Sequence, residues 1–411
     1  VNALYYPDWS MPEAAGLSLE EKIRDRVLKR LAGKGFDVGK EIDPDLFAHT
    51  FGCLDKAVSK GFGKVEYGTP DYDFLEGLRH NNAVFAAFKT HRQQNEIHAR
   101  LFDEDGKRKD FDRFRKDTAG ILQDYNVNWL RTEYDTAVRR ARFAADFRSC
   151  RANKDLYPNL EWLPSVSATP REAHRVFYGQ IRPLEDPFWD TNYPGNLWNC
   201  KCGIRSTDKP VNATGDAAPV QAAPGLDKNP ATSGEVFTES HPYIKGASIE
   251  AKKAVEEFVY KEYTDIPVRN GKLRIHEKHG KNERKENIKV GTYLAEKHGY
   301  EIDLIENPDG EKSADSFNRT LGCFQEYKVN GKATVNAIDM AIKSGSKKAN
   351  DLVLWIDSDI RLEDLAAAIR PRVIRTGRIT HITIVRNGKD KRYSREDIIA
   401  EGFKIRQADL E

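Results

Sequence analysis

A stretch rich in proline, alanine and glycine interrupts the chain at residues 206–234. It holds few large apolar side chains, so we expect a flexible linker that builds no core of its own. The sequence before it shows mainly helical patterns, whereas the sequence after it alternates helices with apolar strands. Because 411 residues is also a length typical of two or three domains, the chain is predicted to be multidomain.

The predicted domains lie on either side of that stretch. Residues 1–205 form a mainly α domain that ends in a small irregular, cysteine-containing knot, 235–267 are a helical bridging segment, and 268–411 are an α/β domain. Five cysteines, an odd number, indicate a reducing compartment rather than a disulfide framework. No apolar run is long enough to predict a membrane span, and the first residues lack a signal-peptide pattern. A net charge of +2 means that any nucleic-acid surface must be a local patch.

The knot before the linker carries a possible metal site. His174, Cys200 and Cys202 are three candidate ligands for a structural zinc ion, with Asp186 or Asp190 as the fourth. A C-x-C pair is less suited than C-x-x-C to chelating one ion, so a second interpretation stays open. In that interpretation the two thiols pack beneath neighbouring tryptophans and the histidine is hydrogen-bonded. A cross-link between the thiols under oxidation is a third.

The same segment contains a set of motif residues with a family resemblance. They are Arg171, Glu172, His174, Gly179, Asp186-Pro187-Phe188-Trp189, Pro194 and Trp198-Asn199-Cys200-Lys201-Cys202. This pattern resembles the minor head proteins of the phage Mu protein F type, whose signature is a histidine, a glycine, DPFW and a terminal NCRC or NCKC. The resemblance covers roughly residues 70–205 and implies head morphogenesis, portal and capsid proteins as partners, and a location in the virion or the host bacterial cytoplasm.

The C-terminal part predicts a mixed sheet covered by helices on both faces. Its elements follow the order α-β-β-β-α-β-α-β, from a helix that ends at Gly299 to a strand over residues 379–385. The run from Asp351 to Asp357 is almost wholly apolar, as expected for a strand buried on both faces.

A hairpin within this sheet carries acidic residues in a pattern typical of metal sites. Asp315 is followed, after a gap of about ten residues, by Glu326-Tyr327-Lys328. Side chains alternate along a strand, so Glu326 and Lys328 share one face, and Asp315 can meet Glu326 across the hairpin. Two such carboxylates can hold Mg²⁺ or another divalent cation, while Lys328 orients a water and offsets phosphate charge. The competing interpretation is a solvated hairpin whose charges face water.

Glu286 is a candidate third acid. It precedes Val290 and Leu294 at intervals of four, and those apolar residues must face the sheet. Glu286 is therefore predicted on the inward face of its helix, where a carboxylate is costly unless it is paired or bound to metal. This reasoning predicts metal ligands at Glu286, Asp315 and Glu326, with Lys328 completing the catalytic set.

That set of residues resembles the PD-(D/E)XK nucleases. More narrowly, the segment from about 275 to 400 is similar to the transfer-RNA-cleaving toxin domains of contact-dependent inhibition proteins, although Asp315 follows Ala314 rather than proline. The resemblance implies a restriction-endonuclease-like fold, a divalent cation and an RNA substrate (transfer RNA) or else DNA. It also implies a cognate immunity protein as a partner.

Several basic and hydroxyl side chains are candidates for contacting phosphate. They are Lys343, Lys347, Lys348, Arg370, Arg372, Arg375, Arg378, Arg386, Lys389, Lys391 and Arg392, with Thr334 or Ser344 at the scissile phosphate. Plain solvated surface and helix capping are the alternatives.

Two further functions stay open. A metal-free ribonuclease of the barnase or colicin kind would use histidines for acid-base chemistry. Its candidate residues are His276, His279, His298 and His381, with Thr380 or Thr383. Alternatively, the chain is a purely structural head protein whose C-terminal domain binds nucleic acid or protein without cutting.

Overall fold

The computed structural model describes residues 17–170, 172–215, 220–307, 313–332 and 334–410; Arg171, one of the motif residues, lies outside them. The chain divides into two compact units. Unit 1 runs up to Lys64 and continues over Leu78–Val259, and unit 2 takes Val65–Gly77 and the chain from Tyr260 onward. Among the described helices, none is both long and apolar enough to cross a membrane.

Unit 1 is mainly helical, as predicted. Its longer helices are α1 (Glu21–Ala32), α2 (Pro44–Phe62), α3 (Pro70–His98, which begins in unit 2), α4 (Phe111–Gln123) and α5 (Trp129–Ala152). Asp43 caps α2 by accepting hydrogen bonds from the amides of Asp45 and Leu46. Gly61 lets α2 approach α5, since a Cβ there would lie 2.2 Å from the Val138 carbonyl oxygen.

The irregular knot of unit 1 is built on a small sheet. Three antiparallel strands lie in the order β2-β1-β3. The elements are β1 (Asn159–Leu163), β2 (Ile181–Pro183), the short helix α6 (Phe188–Thr191) and β3 (Gly203–Thr207). Trp162 of β1 and Trp189 of α6 are almost fully buried and stack at 6.1 Å between ring centroids. This aromatic core fixes the loops on both sides of the sheet.

The C-terminal part of the predicted linker is hydrogen-bonded to other residues of unit 1. Buried Arg140 of α5 donates hydrogen bonds to the carbonyl oxygens of Lys228 at 2.7 Å and Glu235 at 3.2 Å. The Tyr193 hydroxyl donates to the carbonyl oxygen of Leu226 at 2.5 Å. The chain lies in unit 1 here because its backbone carbonyls satisfy buried donors, a role that composition does not reveal. Three short helices follow, α7 (Pro230–Ser233), α8 (Pro242–Lys245) and α9 (Ile249–Val259).

Unit 2 holds an eight-stranded mixed sheet in the order β11-β10-β9-β8-β7-β6-β5-β4, which confirms the mixed sheet predicted for the C-terminal part. The strands are β4 (Tyr263–Ile266), β5 (Lys272–His276), β6 (Glu301–Leu304), β7 (Ser316–Asn318), β8 (Cys323–Asn330), β9 (Asp351–Ile356), β10 (His381–Arg386) and β11 (Lys389–Ser394). The helices are α10 (Arg284–His298), α11 (Val335–Gly345), α12 (Leu362–Thr376), α13 (Arg395–Ile399) and α14 (Gln407–Leu410).

Apolar layers cover both faces of this sheet. Along β9, Leu352 and Leu354 belong to one buried cluster and Val353 to another, because successive side chains point to opposite faces. One cluster includes Ile338 and Ile342 of α11. The helix α12 continues to Thr376, with Pro371 inside it.

Residues 65–77 complete unit 2 although they are distant in sequence. The Asn350 side chain donates to the carbonyl oxygen of Gly68 at 2.8 Å, and Arg378 donates to the same oxygen at 3.0 Å. The amide of Phe324 donates to the Asp73 carboxylate at 3.2 Å. A fragment that starts after residue 77 would therefore lack a part of this unit.

Candidate active site and a cysteine-histidine cluster

Asp315 directly precedes strand β7 and lies opposite Glu326, which is in the middle of strand β8. The two strands are antiparallel with Ser316 paired to Gln325, and one step further along this register brings residue 315 opposite 326. Both carboxyl side chains are fully buried. The hairpin therefore places these acids together and away from water.

Hydrogen bonds hold both oxygens of Asp315. Its Oδ2 accepts from the backbone amide of Tyr327 at 2.7 Å, and its Oδ1 accepts from Asn287 Nδ2 at 3.1 Å. These donors compensate the burial of the negative charge and fix the orientation of the carboxylate.

The two carboxylate oxygens of Glu326 differ in their hydrogen-bond partners. Its Oε1 accepts from Lys328 Nζ at 2.5 Å and from Lys348 Nζ at 3.0 Å, whereas Oε2 is buried and has no hydrogen-bond partner among the described residues. Burial, together with the charge of Asp315, raises the pKa of Glu326 to about 7 in spite of the two lysines. One carboxylate oxygen of this pair is thus available for a further ligand.

Lys348 was predicted only as a phosphate contact on the rim. Burial lowers the pKa of its ammonium group, but Glu326 outweighs burial, so the pKa is raised overall. The lysine follows α11, whose last residue, Gly345, passes close to Glu326: a Cβ there would lie 3.4 Å from Glu326 Cγ. The signal in the sequence was the lysine pair after a helix, but its direction depends on how that helix packs.

Glu286 does not join the site as predicted. Its side chain is exposed, and the inward position belongs to its neighbour Asn287. The buried residues of α10 include Asn287, Val290 and Leu294, a stripe at intervals of three and four, so the prediction from intervals of four alone chose the wrong residue. Among the described acids, Glu286 forms no group with Asp315 and Glu326 in which all ligand atoms lie within 4.8 Å of one another.

His279 orients the Asn287 side chain that donates to Asp315. The Nδ1 of His279 lies 2.6 Å from the carbonyl oxygen of Ile305, so Nδ1 carries the proton and Nε2 accepts from Asn287 Nδ2 at 3.1 Å. Burial lowers the pKa of His279, which favours the neutral ring that this arrangement requires. The histidine therefore serves Asp315 indirectly, through the amide.

The predicted histidine-based site is not assembled. His276 lies 3.2 Å from Glu262, and His298 lies 2.9 Å from Asp390. His381 starts β10, which is five strands from the β5 of His276, or about 24 Å across the sheet. These side chains serve separate local contacts, so the geometry gives no support to a shared acid-base pair.

Most arginines of the predicted phosphate rim have internal partners. Arg372 and Arg375 pair with Asp339, Arg370 and Arg386 donate to backbone carbonyls, and Arg392 pairs with Asp351. Thr334 caps α11 by accepting from the Ala337 amide, and Ser344 donates to the carbonyl of Ala341. The structural alternatives stated for these residues account for their contacts.

A second cluster of ionisable side chains lies in unit 1. Cys200 Sγ lies 3.3 Å and Cys202 Sγ 3.8 Å from Nδ1 of His174, whose Nε2 lies 2.8 Å from Asn196 Oδ1. A hydrogen bond from Cys202, with His174 acting in the same direction, lowers the pKa of the Cys200 thiol well below its usual value. Among the described residues this is the group of three whose ligand atoms all lie within 4.8 Å of one another.

The predicted fourth ligands lie elsewhere. Asp186 accepts from Arg182 at 3.2 Å and from the amide of Phe188 at 2.9 Å, and Asp190 is exposed. Neither belongs to the group formed by the histidine and the two cysteines. Asp186 instead fixes the turn that leads into α6.

The part of the chain that holds this cluster is similar to known proteins. The family model described as "Phage Mu protein F like protein" matches residues 92–205. This segment is similar to that family. The resemblance drawn from the motif residues is thereby confirmed at the level of the family, over the part of the chain that carries them.

Two curated relatives match this Mu F-like part. "Putative capsid assembly protein F" of Escherichia phage Mu is 31% identical over 77 residues, which is 19% of this chain and 18% of that protein. "Mu-like prophage FluMu F protein" of Haemophilus influenzae is 28% identical over 109 residues, 24% of this chain and 25% of that protein. The chain thus spans at most a quarter of the length of these relatives. No solved structure gives a significant match.

The Mu F-like segment and the carboxylate site belong to different parts of the chain. His174, Cys200 and Cys202 fall inside residues 92–205, whereas Asp315 and Glu326 fall outside them. The family match therefore concerns the part of the chain that holds the cysteine-histidine cluster. The chemistry of unit 2 is inferred from the geometry of unit 2 alone.

Proposed function

We propose that the chain is a phage head-assembly component whose C-terminal unit is a metal-dependent nuclease. The first half of the proposal is supported by the Mu F-like segment and by the names of its relatives, which refer to capsid assembly and to a Mu-like prophage. Its partners are then the portal and capsid proteins of the particle. It acts in the virion or, during assembly, in the bacterial cytoplasm.

The nuclease half of the proposal depends chiefly on one observation. Glu326 is fully buried next to Asp315, yet its Oε2 has no hydrogen-bond partner among the described residues. A buried carboxylate oxygen without a donor is costly, and a divalent cation is a ligand that removes this cost. Purely structural carboxylates are usually satisfied by donors, as both oxygens of Asp315 are.

The residues present fit a hard divalent cation such as Mg²⁺. Asp315 and Glu326 would hold it, and Mg²⁺ needs only one or two protein carboxylates because waters and phosphate oxygens complete its shell. When bound, the cation supplies a more acidic water and neutralises charge on the phosphate. Glu286 has no part in this set, since its side chain is exposed.

The two lysines supply positive charge at the same place. Lys328 and Lys348 both reach Glu326 Oε1, and both are mostly buried, with 18% and 26% of their side chains exposed. In this role Lys328 orients the attacking water, and Lys348 offsets the charge that develops on the phosphate oxygens. Asn287 and His279 hold Asp315 in position without touching the substrate.

RNA, and transfer RNA in particular, is the substrate implied by the similarity of this region to contact-dependent inhibition toxins. A toxin of that kind also implies a cognate immunity protein that blocks the site.

The experiment uses the full chain, because unit 2 includes residues 65–77. Total RNA, purified transfer RNA and plasmid DNA are incubated with the protein in Mg²⁺ and in EDTA. Cleavage of RNA in Mg²⁺ that EDTA and Lys328→Ala each abolish is expected. Cleavage that persists in EDTA, or an equal rate in the Lys328→Ala protein, would overturn the assignment.

The second candidate is a head protein whose unit 2 binds without cutting. It is favoured by the internal pairing of most rim arginines and by the ion pairs that Lys328 and Lys348 make with Glu326. Such a protein would bind nucleic acid with an affinity that falls steeply as salt increases, and would release no cleavage products.

A further inference from the structure

The cysteine-histidine cluster of unit 1 supports an inference that is independent of the nuclease. We infer that His174, Cys200 and Cys202 bind one zinc ion, with Nδ1 of the histidine and both sulfurs as ligands. The three ligand atoms lie within 4.8 Å of one another, a spacing that one tetrahedral ion can bridge after small shifts. A donor set of two thiolates and one imidazole favours zinc, whereas Mg²⁺ and Ca²⁺ favour oxygen ligands.

The histidine is presented in the form that a metal requires. Its Nε2 lies 2.8 Å from Asn196 Oδ1, and Asn196 Nδ2 donates to the carbonyl oxygen of Thr191 at 3.3 Å, which fixes the orientation of the amide. Nε2 therefore carries the proton, and the lone pair of Nδ1 faces the sulfurs. Metal-bound histidines are typically oriented by a hydrogen bond of this kind from the other ring nitrogen.

The backbone before the first cysteine brings the two sulfurs together. Asn199 adopts a left-handed conformation with φ of 61°, which is uncommon for a residue other than glycine. The amide of Cys200 donates to the carbonyl oxygen of Leu197 at 3.2 Å and closes the turn. This turn allows a C-x-C pair to direct both sulfurs at a single nitrogen, although that spacing is a poor chelator in extended chain.

The fourth position is left to solvent. Cys202 is partly exposed, and its sulfur lies 4.0 Å from the hydroxyl of Tyr178, which is also partly exposed. The buried side of the cluster is closed by Trp162, whose ring lies 5.4 Å from that of His174. A water on the Tyr178 side would complete a tetrahedral shell.

The same contacts have a second chemical interpretation, which the structure disfavours. Cysteine, histidine and asparagine in hydrogen-bonded order also occur as a nucleophile, its base and the group that orients the base. Here, however, Cys200 is 4% exposed and His174 is fully buried, so no substrate reaches the sulfur. The second thiol, Cys202, has no part in that chemistry but is required by the metal.

Zinc at this place would join two separate segments. His174 lies in the short 3₁₀ helix Glu172–Phe177, while the cysteines precede β3. The ion would therefore join both ends of the knot around its aromatic core and stabilise it, because metal binding to the folded state adds to the free energy of folding.

The test measures metal content and ligand type on the full chain. Protein purified without chelators is analysed for zinc, and the metal-free, reduced protein is titrated with Co²⁺. We expect close to one zinc per chain and a near-ultraviolet sulfur-to-cobalt charge-transfer band. This band reports thiolate ligands, so metal bound at the Asp315–Glu326 site does not produce it. Absence of both zinc and the band in the folded wild type would overturn the proposal.

Variants assign the ligands. Cys200→Ser and Cys202→Ser should each abolish the band, whereas Cys53→Ser and Cys323→Ser, at free cysteines outside the cluster, should leave it unchanged. Asn196→Ala should weaken zinc binding by about 10- to 100-fold while the band persists at saturation. If zinc is absent and iodoacetamide labels Cys200 selectively in the native protein, the cluster is a reactive thiol instead. The wild-type titration decides the case even if a serine variant fails to fold.

Discussion

Lys348 Nζ lies 3.0 Å from Glu326 Oε1, the oxygen that also accepts from Lys328 two residues along β8. One carboxylate oxygen thus holds two ammonium groups, while the other oxygen of the same carboxylate has no hydrogen-bond partner among the described residues. This asymmetry distinguishes the pair Asp315–Glu326 from an ordinary buried ion pair. It also gives Lys348 a role that can be separated experimentally from that of Lys347.

Replacing Lys348 should reduce cleavage strongly, whereas replacing Lys347 should not. In the proposed nuclease site, Lys348→Ala would remove positive charge next to the phosphate, so we expect the rate of RNA cleavage to fall by about 100-fold or more. Lys347 is exposed, so Lys347→Ala is the matched control and should cleave at the wild-type rate. Equal losses in the two variants would mean that the lysines act only through the overall charge of the surface.

Glu326 should make the metal-free unit less stable as pH rises. Its pKa is about 7 in the folded protein and 4.5 in its ordinary state, so the folded state binds more protons between these values. Stability therefore falls from pH 4.5 to 7 and stays lower above pH 7, by roughly 3 kcal/mol. Glu326→Gln removes the titration, so in EDTA the variant should be more stable than wild type at pH 8 and similar at pH 4.5.

Hydrogen exchange of the β8 amides measures this effect without mixing it with the unfolding of unit 1. In EDTA, exchange in the wild type should speed up between pH 5 and 8 by more than the intrinsic rate does, and the Glu326→Gln protein should lack this excess. The same excess in both proteins would show that Glu326 is not the titrating group.

Arg140 should hold residues 220–240 against α5. Its buried guanidinium donates to four carbonyl oxygens, including those of Gly195 at 3.0 Å and Lys228 at 2.7 Å. Arg140→Ala should cost about 3 kcal/mol and expose this segment to limited proteolysis. Arg142→Ala, at an exposed position on the same helix, should be cut like the wild type. Resistance of the Arg140 variant would show that the segment holds its place by other contacts.

Lys89 and Glu133 form a fully buried ion pair in unit 1, and the Tyr243 hydroxyl lies 3.3 Å from the other oxygen of Glu133. Lys89→Met leaves a buried carboxylate without its cation, so unit 1 should lose about 3–5 kcal/mol of unfolding free energy. The double variant Lys89→Met with Glu133→Gln should recover part of that loss. Urea unfolding followed by near-ultraviolet circular dichroism measures both, and no recovery would mean that the pair does not act as a unit.

Local sequence patterns predict where helices, strands and turns lie better than they predict which residues these elements contact. An aspartate followed by a proline is a typical helix start, and Asp43 and Pro44 do start α2; Asn387 and Gly388, both left-handed, turn the chain between β10 and β11. The apolar run at Asp351 is a strand buried on both faces. These features depend on a few neighbouring residues, so a single sequence carries them.

Features that depend on packing could not be predicted in the same way. The choice between Glu286 and Asn287 depends on a rotation of α10 by one residue, and the sequence fixes only the spacing of its apolar side chains. The contact of Lys348 with Glu326 depends on where α11 ends over the sheet. Residues 65–77 belong to unit 2 through hydrogen bonds to residues far along the chain, which no local pattern encodes.

The most direct test of the carboxylate site compares two single substitutions in the full chain. Asp315→Asn removes one buried charge while keeping its size, whereas Glu286→Gln changes the exposed acid that sequence spacing alone had placed in the site. The rate of transfer-RNA cleavage in Mg²⁺ is measured for both, with circular dichroism to check the fold. We predict loss of cleavage in the Asp315 variant and a wild-type rate in the Glu286 variant. Cleavage at the wild-type rate by folded Asp315→Asn would contradict the assignment.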